Sequence, residues 1–240
     1  MASRQKRTDR RTMSYDDGRY HYSFKIALLG PNGVGKTDVL THHLQTEDIS
    51  APATIHNIDC GISYVVKDVS ALGRLYRVQY WDVQSAEHYM TQVARVCRGA
   101  AGYVFVFDIT DRKSFDITKK LAQLFEHTGP VVKKVLIGNK CDLENQREVS
   151  KAEAEDLVSQ YKSSGMVQYF ETSGVSGQGV YEAFTLLHTE IFGTIPKHPD
   201  PELLLQRGVR LGKRWYGAGG EEFEAHNFKV DDTTTKVDWM

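Results

Sequence analysis

The chain has 240 residues, 40% of them hydrophobic, and a formal net charge of −1. That suits one α/β domain with tails, or two small domains, and excludes a bulk electrostatic pull towards nucleic acid or acidic membrane. Cys60, Cys97 and Cys141 lack metal-ligand spacing, and no apolar run is long enough to span a bilayer. A soluble protein of a reducing interior, without a secretory leader, is expected.

In chain order, residues 1–21 read as a disordered basic arm, with Arg4, Lys6, Arg7, Arg10 and Arg11 among few apolar groups. Such an arm could touch lipid headgroups or a partner. From 22 to 193 strand-like and helix-like stretches alternate. Strands are predicted over Phe24–Leu29, Ile58–Val66, Leu75–Trp81, Ala101–Phe107, Val135–Gly138 and Val167–Phe170. Helices are predicted over Lys36–Leu44, Glu87–Cys97, Lys113–His127, Lys151–Tyr161 and Gln178–Ile191. The second and third strands flank a short loop with Gly73 and read as a hairpin. The pattern implies an α/β fold: a six-stranded, mainly parallel sheet with one antiparallel edge strand and helices on both faces. Residues 194–240 form an extension after His198-Pro199-Asp200-Pro201. Within it, Glu202–Trp215 suits a short helix with Leu203, Leu204, Leu205 and Leu211 on one side, weakened by Gly208 and Gly212. The remainder is expected to be largely disordered, or a partner-binding peptide.

Between the first strand and first helix lies Gly30-Pro31-Asn32-Gly33-Val34-Gly35-Lys36-Thr37, a GxxxxGK[ST] loop. Its glycines let the backbone wrap an anion, and the helix N-terminus adds partial positive charge. Lys36 would bridge the β- and γ-phosphates, and Thr37 would offer its hydroxyl to Mg²⁺. The chain therefore reads as a nucleoside-phosphate binder. The base is chosen further on. Asn139-Lys140-Cys141-Asp142 ends the Val135–Gly138 strand, where ligands bind in open parallel sheets. The Asp142 carboxylate can accept two hydrogen bonds from N1–H and the exocyclic amine of guanine, which adenine lacks. Lys140 would lay its stem along the base, and Asn139 would tie loops together. Glu171-Thr172-Ser173-Gly174 follows the last strand, and its backbone could touch the guanine carbonyl.

Together these motifs resemble the Ras superfamily of small GTPases, Rab proteins most closely, over residues 22–193, with the P-loop NTPase G-domain fold. Thr54-Ile55 stands as the first switch and Trp81-Asp82 opens the second; Cys97-Arg98-Gly99-Ala100 and the stretch 105–115 have Rab-like character. The resemblance implies GTP/GDP and Mg²⁺ as cofactors, with loops that order around the γ-phosphate. It implies that Thr54 meets Mg²⁺ and the γ-phosphate, that Asp82 holds Mg²⁺ through water, and that the Ser85 N–H faces the γ-phosphate. It further implies effectors and exchange factors docking on residues 45–65 and 82–98, and a role in vesicular or related transport.

Two departures qualify that picture. The second switch reads Asp82-Val83-Gln84-Ser85-Ala86-Glu87, where the family has D-T-A-G-Q-E. Ala86 has nothing with which to orient the attacking water, Ser85 narrows the backbone choices of a glycine, and Gln84 and His88 are weak substitutes. Asn32 replaces a small residue and crowds the path of an arginine finger. Slow hydrolysis is expected; the alternative is a pseudo-GTPase adaptor that holds GTP without turnover. A P-loop ATPase or kinase of another class is opposed by NKCD and ETSG. The chain also ends Lys236-Val237-Asp238-Trp239-Met240 without a cysteine, and Ala2 does not fit the myristoylation motif. No lipid anchor is expected, and location is expected to be cytoplasmic, peripheral on endomembranes through partners, or in a soluble assembly such as ciliary transport.

Overall fold

The computed structural model describes residues 20–46, 54–58, 62–83, 93–94, 97–196, 200–212, 214–216 and 222–224. Most of the basic arm, most of the helix expected over Glu87–Cys97, and residues 84–88 lie outside them. In order, the elements are β1 (Tyr22–Leu29), α1 (Lys36–Thr46), β2 (Thr54–Ile58), β3 (Ile62–Ala71), β4 (Arg74–Val83) and β5 (Gly102–Asp108). They continue with α2 (Arg112–Leu124), β6 (Lys133–Asn139), α3 (Lys151–Gln160), β7 (Met166–Thr172) and α4 (Val180–Thr194). The tail supplies α5 (Pro201–Gln206), β8 (Val209–Leu211) and a small separate pair, β9 (Arg214–Tyr216) with β10 (Glu222–Glu224).

The main sheet runs β2-β3-β4-β1-β5-β6-β7. Strands β4, β1, β5, β6 and β7 are mutually parallel, and β2-β3-β4 is an antiparallel meander at one edge. Alternate residues of a strand point to opposite faces, so the central strands carry two cores. Ile26, Leu28, Val104, Val106, Val135 and Ile137 pack with Val39 and Leu40 of α1 and with Phe184 and Leu187 of α4. Ala27, Leu29, Phe105, Phe107 and Leu136 pack with Phe115 and Leu121 of α2 and with Ala154 and Leu157 of α3. Burial on both faces explains why these strands read as unbroken apolar runs. The helices start where the sequence offers caps. Asp111 accepts from Lys113 N at the head of α2, and Ser150 and Glu153 form a reciprocal capping box on α3.

The α/β class, the mainly parallel sheet and the two helical layers are as expected, but the strand count is not six. The stretch Ile58–Val66 is no single strand: β2 and β3 are separate, paired from Thr54↔Val66 to Ile58↔Ile62. The hairpin at Gly73 joins β3 to β4, pairing Ala71 with Arg74.

The tail gives the second correction. The single helix expected over Glu202–Trp215 ends at Gln206, and the chain returns as β8, antiparallel to β1 at Tyr22–Phe24. Gly208 makes the reversal possible. It sits at φ +69°, and a Cβ there would lie 2.7 Å from the Gly99 carbonyl oxygen; a side chain would be both strained and obstructed. Leu204 and Val209 join the core, and Gly212 N donates to His21 O at 2.7 Å. Residues 200–212 are therefore built into the domain instead of lying beyond it. No helix among the described residues is long and apolar enough to cross a membrane.

A buried polar chain also crosses this core. His43 Nε2 of α1 lies 3.0 Å from the Tyr80 hydroxyl of β4, which lies 2.9 Å from His188 Nε2 of α4. Burial first, and the nearby Lys67 charge second, pull His188 down to about 4 from an ordinary 6.5.

Two outcomes are expected. Leu204→Ala in the full chain should cost about 2–5 kcal/mol in urea unfolding, the scale of a buried leucine truncation; a cost under about 0.5 kcal/mol, the surface scale, would show residues 200–212 uncoupled from the core. His188 is neutral when folded but takes up a proton below about pH 6.5 when unfolded. Its stability contribution is complete above about 6.5 and is lost as the pH falls to about 4, a change of about 3 kcal/mol. The urea midpoint should fall through that window, and His188→Gln should flatten the fall; an equally steep profile in the variant would refute the assignment.

Candidate nucleotide-binding site

Parallel pairing sets the site. The registers Leu28↔Asp82, Asp108↔Asn139 and Asn139↔Thr172 bring the C-terminal ends of β1, β4, β5, β6 and β7 to one edge of the sheet. The loop Gly30–Gly35 leaves β1 there and runs into α1, whose first turn Val39 N closes on Gly35 O at 3.0 Å. Gly35 sits at φ +89°, and a Cβ on it would lie 2.3 Å from Asn139 Nδ2, so the contact between these loops requires glycine. Lys36 is buried with its Nζ donating to Gly30 O at 3.0 Å and Pro31 O at 2.7 Å, so the ammonium lies across the loop. Val34 is buried, whereas Asn32 and Gly33 are exposed. Asn32 Oδ1 accepts from Gly33 N at 3.0 Å, which turns this side chain back onto the loop.

At the end of β4, Asp82 is buried, and Thr37 Oγ1 donates to its Oδ2 at 2.5 Å. Burial raises the Asp82 pKa above the usual carboxylate value, opposed by the Thr37 hydrogen bond and the Lys36 charge. Its other oxygen, Oδ1, is buried with no hydrogen-bond partner among the described residues. A buried carboxylate oxygen left so is costly. A hydroxyl and a carboxylate side by side, with one acceptor unused, suit a hard oxygen-ligated cation such as Mg²⁺.

The base end is organised by Asn139. Its Nδ2 donates to Val34 O at 2.8 Å, while its Oδ1 accepts from Thr172 Oγ1 at 3.0 Å and from Gly174 N at 2.9 Å. One buried side chain thus joins the phosphate loop, β6 and the loop after β7. Lys140 follows in a left-handed conformation, φ +66°, with Nζ 2.6 Å from Asp108 Oδ2. Asp142 stands exposed on the 3-10 turn Cys141–Gln146. Ser173 is buried, its Oγ accepting from Val175 N and Ser176 N. The Ser173 and Gly174 amides already donate within the protein, to Gln178 O and Asn139 Oδ1. A base carbonyl at this loop would have to share the Gly174 N–H with Asn139.

The structure therefore gathers Lys36, Thr37, Asp82, Asn139, Lys140, Asp142, Thr172, Ser173 and Gly174 at one edge. Thr54 is not brought there. It pairs with Val66, at the level of Gln79, whereas Asp82 pairs with Ser63. Three strand positions, about 10 Å, separate those levels, and β2 is two strands from β4. Gln84, Ser85, Ala86 and His88 lie outside the described residues. Asp108, which holds Lys140, stands in the Rab-like stretch 105–115 with no site role in the sequence reading. The signal was the strand it closes: the β5–β6 register places it beside Asn139.

A sequence model of the Ras family matches residues 25–193. The chain is 36% identical to Ras-related protein Rab-10 of Diplobatis ommata over 185 residues, covering 76% of this chain and 88% of that protein. It is likewise 36% identical to Ras-related protein Rab-8B of Homo sapiens over 173 residues, 72% of this chain and 80% of the relative. GTP or GDP with Mg²⁺ is the ligand set that goes with this family, and it agrees with the oxygen pair at Thr37 and Asp82. The chain belongs to the Ras family of small GTPases and is Rab-like within it.

Proposed function

We propose that this protein is a guanine-nucleotide switch of intracellular transport whose binding half is intact and whose hydrolytic half is weak. The observation that carries the reading is the Thr37–Asp82 pair, with the unsatisfied Asp82 Oδ1 beneath a phosphate loop and its lysine. Lys36 would exchange its two loop carbonyls for phosphate oxygens, a charge-assisted replacement. Thr37 and Asp82 would hold Mg²⁺, which supplies charge neutralisation between the β- and γ-phosphates. Asp142 and the Asn139 hub would hold the guanine.

The weak half rests on Ala86 and Ser85, since positioning water is most of what a protein adds to this phosphoryl transfer. Hydrolysis slower than the roughly 10⁻⁴ s⁻¹ of unassisted Ras follows. The second reading, an adaptor that retains GTP and signals by binding alone, is favoured by the same two residues. In both readings effectors and exchange factors would dock on residues 45–65 and 82–98, and the protein would act in the cytoplasm, at endomembranes or in a soluble transport assembly.

Single-turnover hydrolysis of loaded GTP separates the two. Conversion to GDP within hours establishes a slow cycle; retention unchanged establishes the adaptor. Ser85→Gly with Ala86→Gln should accelerate turnover at least about tenfold if water orientation is the defect, since general positioning effects span that scale and more. No acceleration would locate the defect in the surrounding loop. Lys36→Ala should lose bound nucleotide and lower the Tm of protein purified with its ligand, because ligand stabilises the fold by mass action. Full retention of nucleotide would overturn the phosphate-loop assignment.

A further inference from the structure

The carboxylate that reads the base is carried on a turn with little of its own to hold it. Asp142 is exposed, and the Cys141–Gln146 turn is kinked at Leu143, φ −100° and ψ 38°. Its far end is fastened just beyond β5: Glu148 N and Val149 N donate to Ile109 O at 2.8 and 3.1 Å. Its near end is fastened to β5 itself, through Lys140 and Asp108. None of these contacts reaches β7, which carries the other half of the base site.

Arg147 makes that connection. Its Nε donates to Glu144 Oε1 at 2.8 Å, and its Nη2 lies 2.5 Å from Glu144 Oε2 and 2.8 Å from Glu171 Oε1. Its Nη1 donates to Val149 O at 3.1 Å. Glu171 is held in turn by the Tyr169 hydroxyl, donating at 3.0 Å, and by Lys151 Nζ at 2.8 Å. Glu144 lies two residues past Asp142, and Glu171 immediately precedes Thr172-Ser173-Gly174. A planar guanidinium holds two carboxylates and a carbonyl at fixed angles, which an ammonium cannot. Glu144 is 60% exposed, and ion pairs with an exposed partner add little to stability. What the bridge supplies is relative position.

We propose that Arg147 is a positioning residue for base recognition. It locks the Asp142 turn against the end of β7, and so sets how well the site distinguishes guanine from a base lacking the exocyclic amine. This rests on the guanine reading above.

The test compares release of GDP and IDP from the full-length protein, with retained nucleotide quantified by chromatography. Inosine lacks only the amine that Asp142 would receive. The wild type should release IDP about 10- to 100-fold faster than GDP, the scale of one hydrogen bond to a charged group. Arg147→Ala should accelerate GDP release until the two rates agree within about threefold, as expected once that bond is lost. Arg147→Lys should recover little of the ratio. Glu144→Ala cuts the turn-side contact at an exposed residue, should shift the ratio in the same direction, and decides the matter if Arg147→Ala does not fold. A merely structural role would speed both nucleotides by one factor and keep the ratio, which would overturn the proposal. Asp142→Asn gives the ratio without the carboxylate. Equal retention of GDP and IDP by the wild type would bring down the guanine reading, and this proposal with it.

Discussion

The amide of Asn139 is the constraint on which the nucleotide site depends. It donates to the phosphate loop at Val34 and accepts from Thr172 and Gly174, so three chain segments far apart in sequence meet on one side chain. Asn139, Thr172 and Val34 are buried, where an amide must satisfy its donors and acceptors or bear the full desolvation cost. The hub works because its neighbours make room. Gly35 has no Cβ to meet Nδ2, and the β5-β6-β7 register delivers Asn139 and Thr172 side by side. Phosphate and base ends are thereby held at a set distance.

The two ends of the site are prepared differently. At the base end, the neutral hydrogen bonds of Asn139 and the ion pairs of Lys140 and Arg147 are satisfied within the protein. At the phosphate end, charge is concentrated. The Lys36 ammonium is turned onto two loop carbonyls, and Asp82 is buried with one oxygen unpaired. Burial raises the Asp82 pKa because its charged form loses water, and the Thr37 hydrogen bond and the Lys36 charge only oppose that shift. A cation at Asp82 would satisfy that unpaired oxygen beside an anion at the loop, so nucleotide and metal affinity should be linked to each other and to fold stability.

At the opposite end of β1, the chain closes on itself. Strand β8 pairs with Tyr22–Phe24, the stretch of β1 that precedes its pairing with β5. Gly208 presses on the backbone at Gly99–Ala101, just past the second switch region. Leu204 and Val209 reach the same core that α1 and α4 share. The tail is thus packed against the strand that leads into the phosphate loop, and against the segment that leads out of the second switch.

Most of the nucleotide site was legible in the sequence because its motifs are local: Gly30–Thr37 and Asn139–Asp142 each sit at a strand end, and the strand itself announces where they will lie. The alternation of apolar strands and amphipathic helices likewise determined the α/β class and the two-faced core, since periodicity reports burial directly. Long-range pairing decided the rest. The break between β2 and β3 has a local signal, Asp59 and Gly61, residue types that strands avoid and turns favour, but the apolar residues on either side mask it; the pairing register is what shows two strands. Val209-Arg210-Leu211 is too short and too polar to declare itself a strand, and becomes one because β1 has an open edge at Tyr22–Phe24. Arg147 carried no motif, and Asp108 and Glu171 stood in motifs without a positioning role, since side chains that position others are chosen by what folding brings beside them. The sequence by itself determined the chemistry of the loops; tertiary structure decided which residues share an edge, because hydrogen-bonded register, unlike periodicity, exists only between segments.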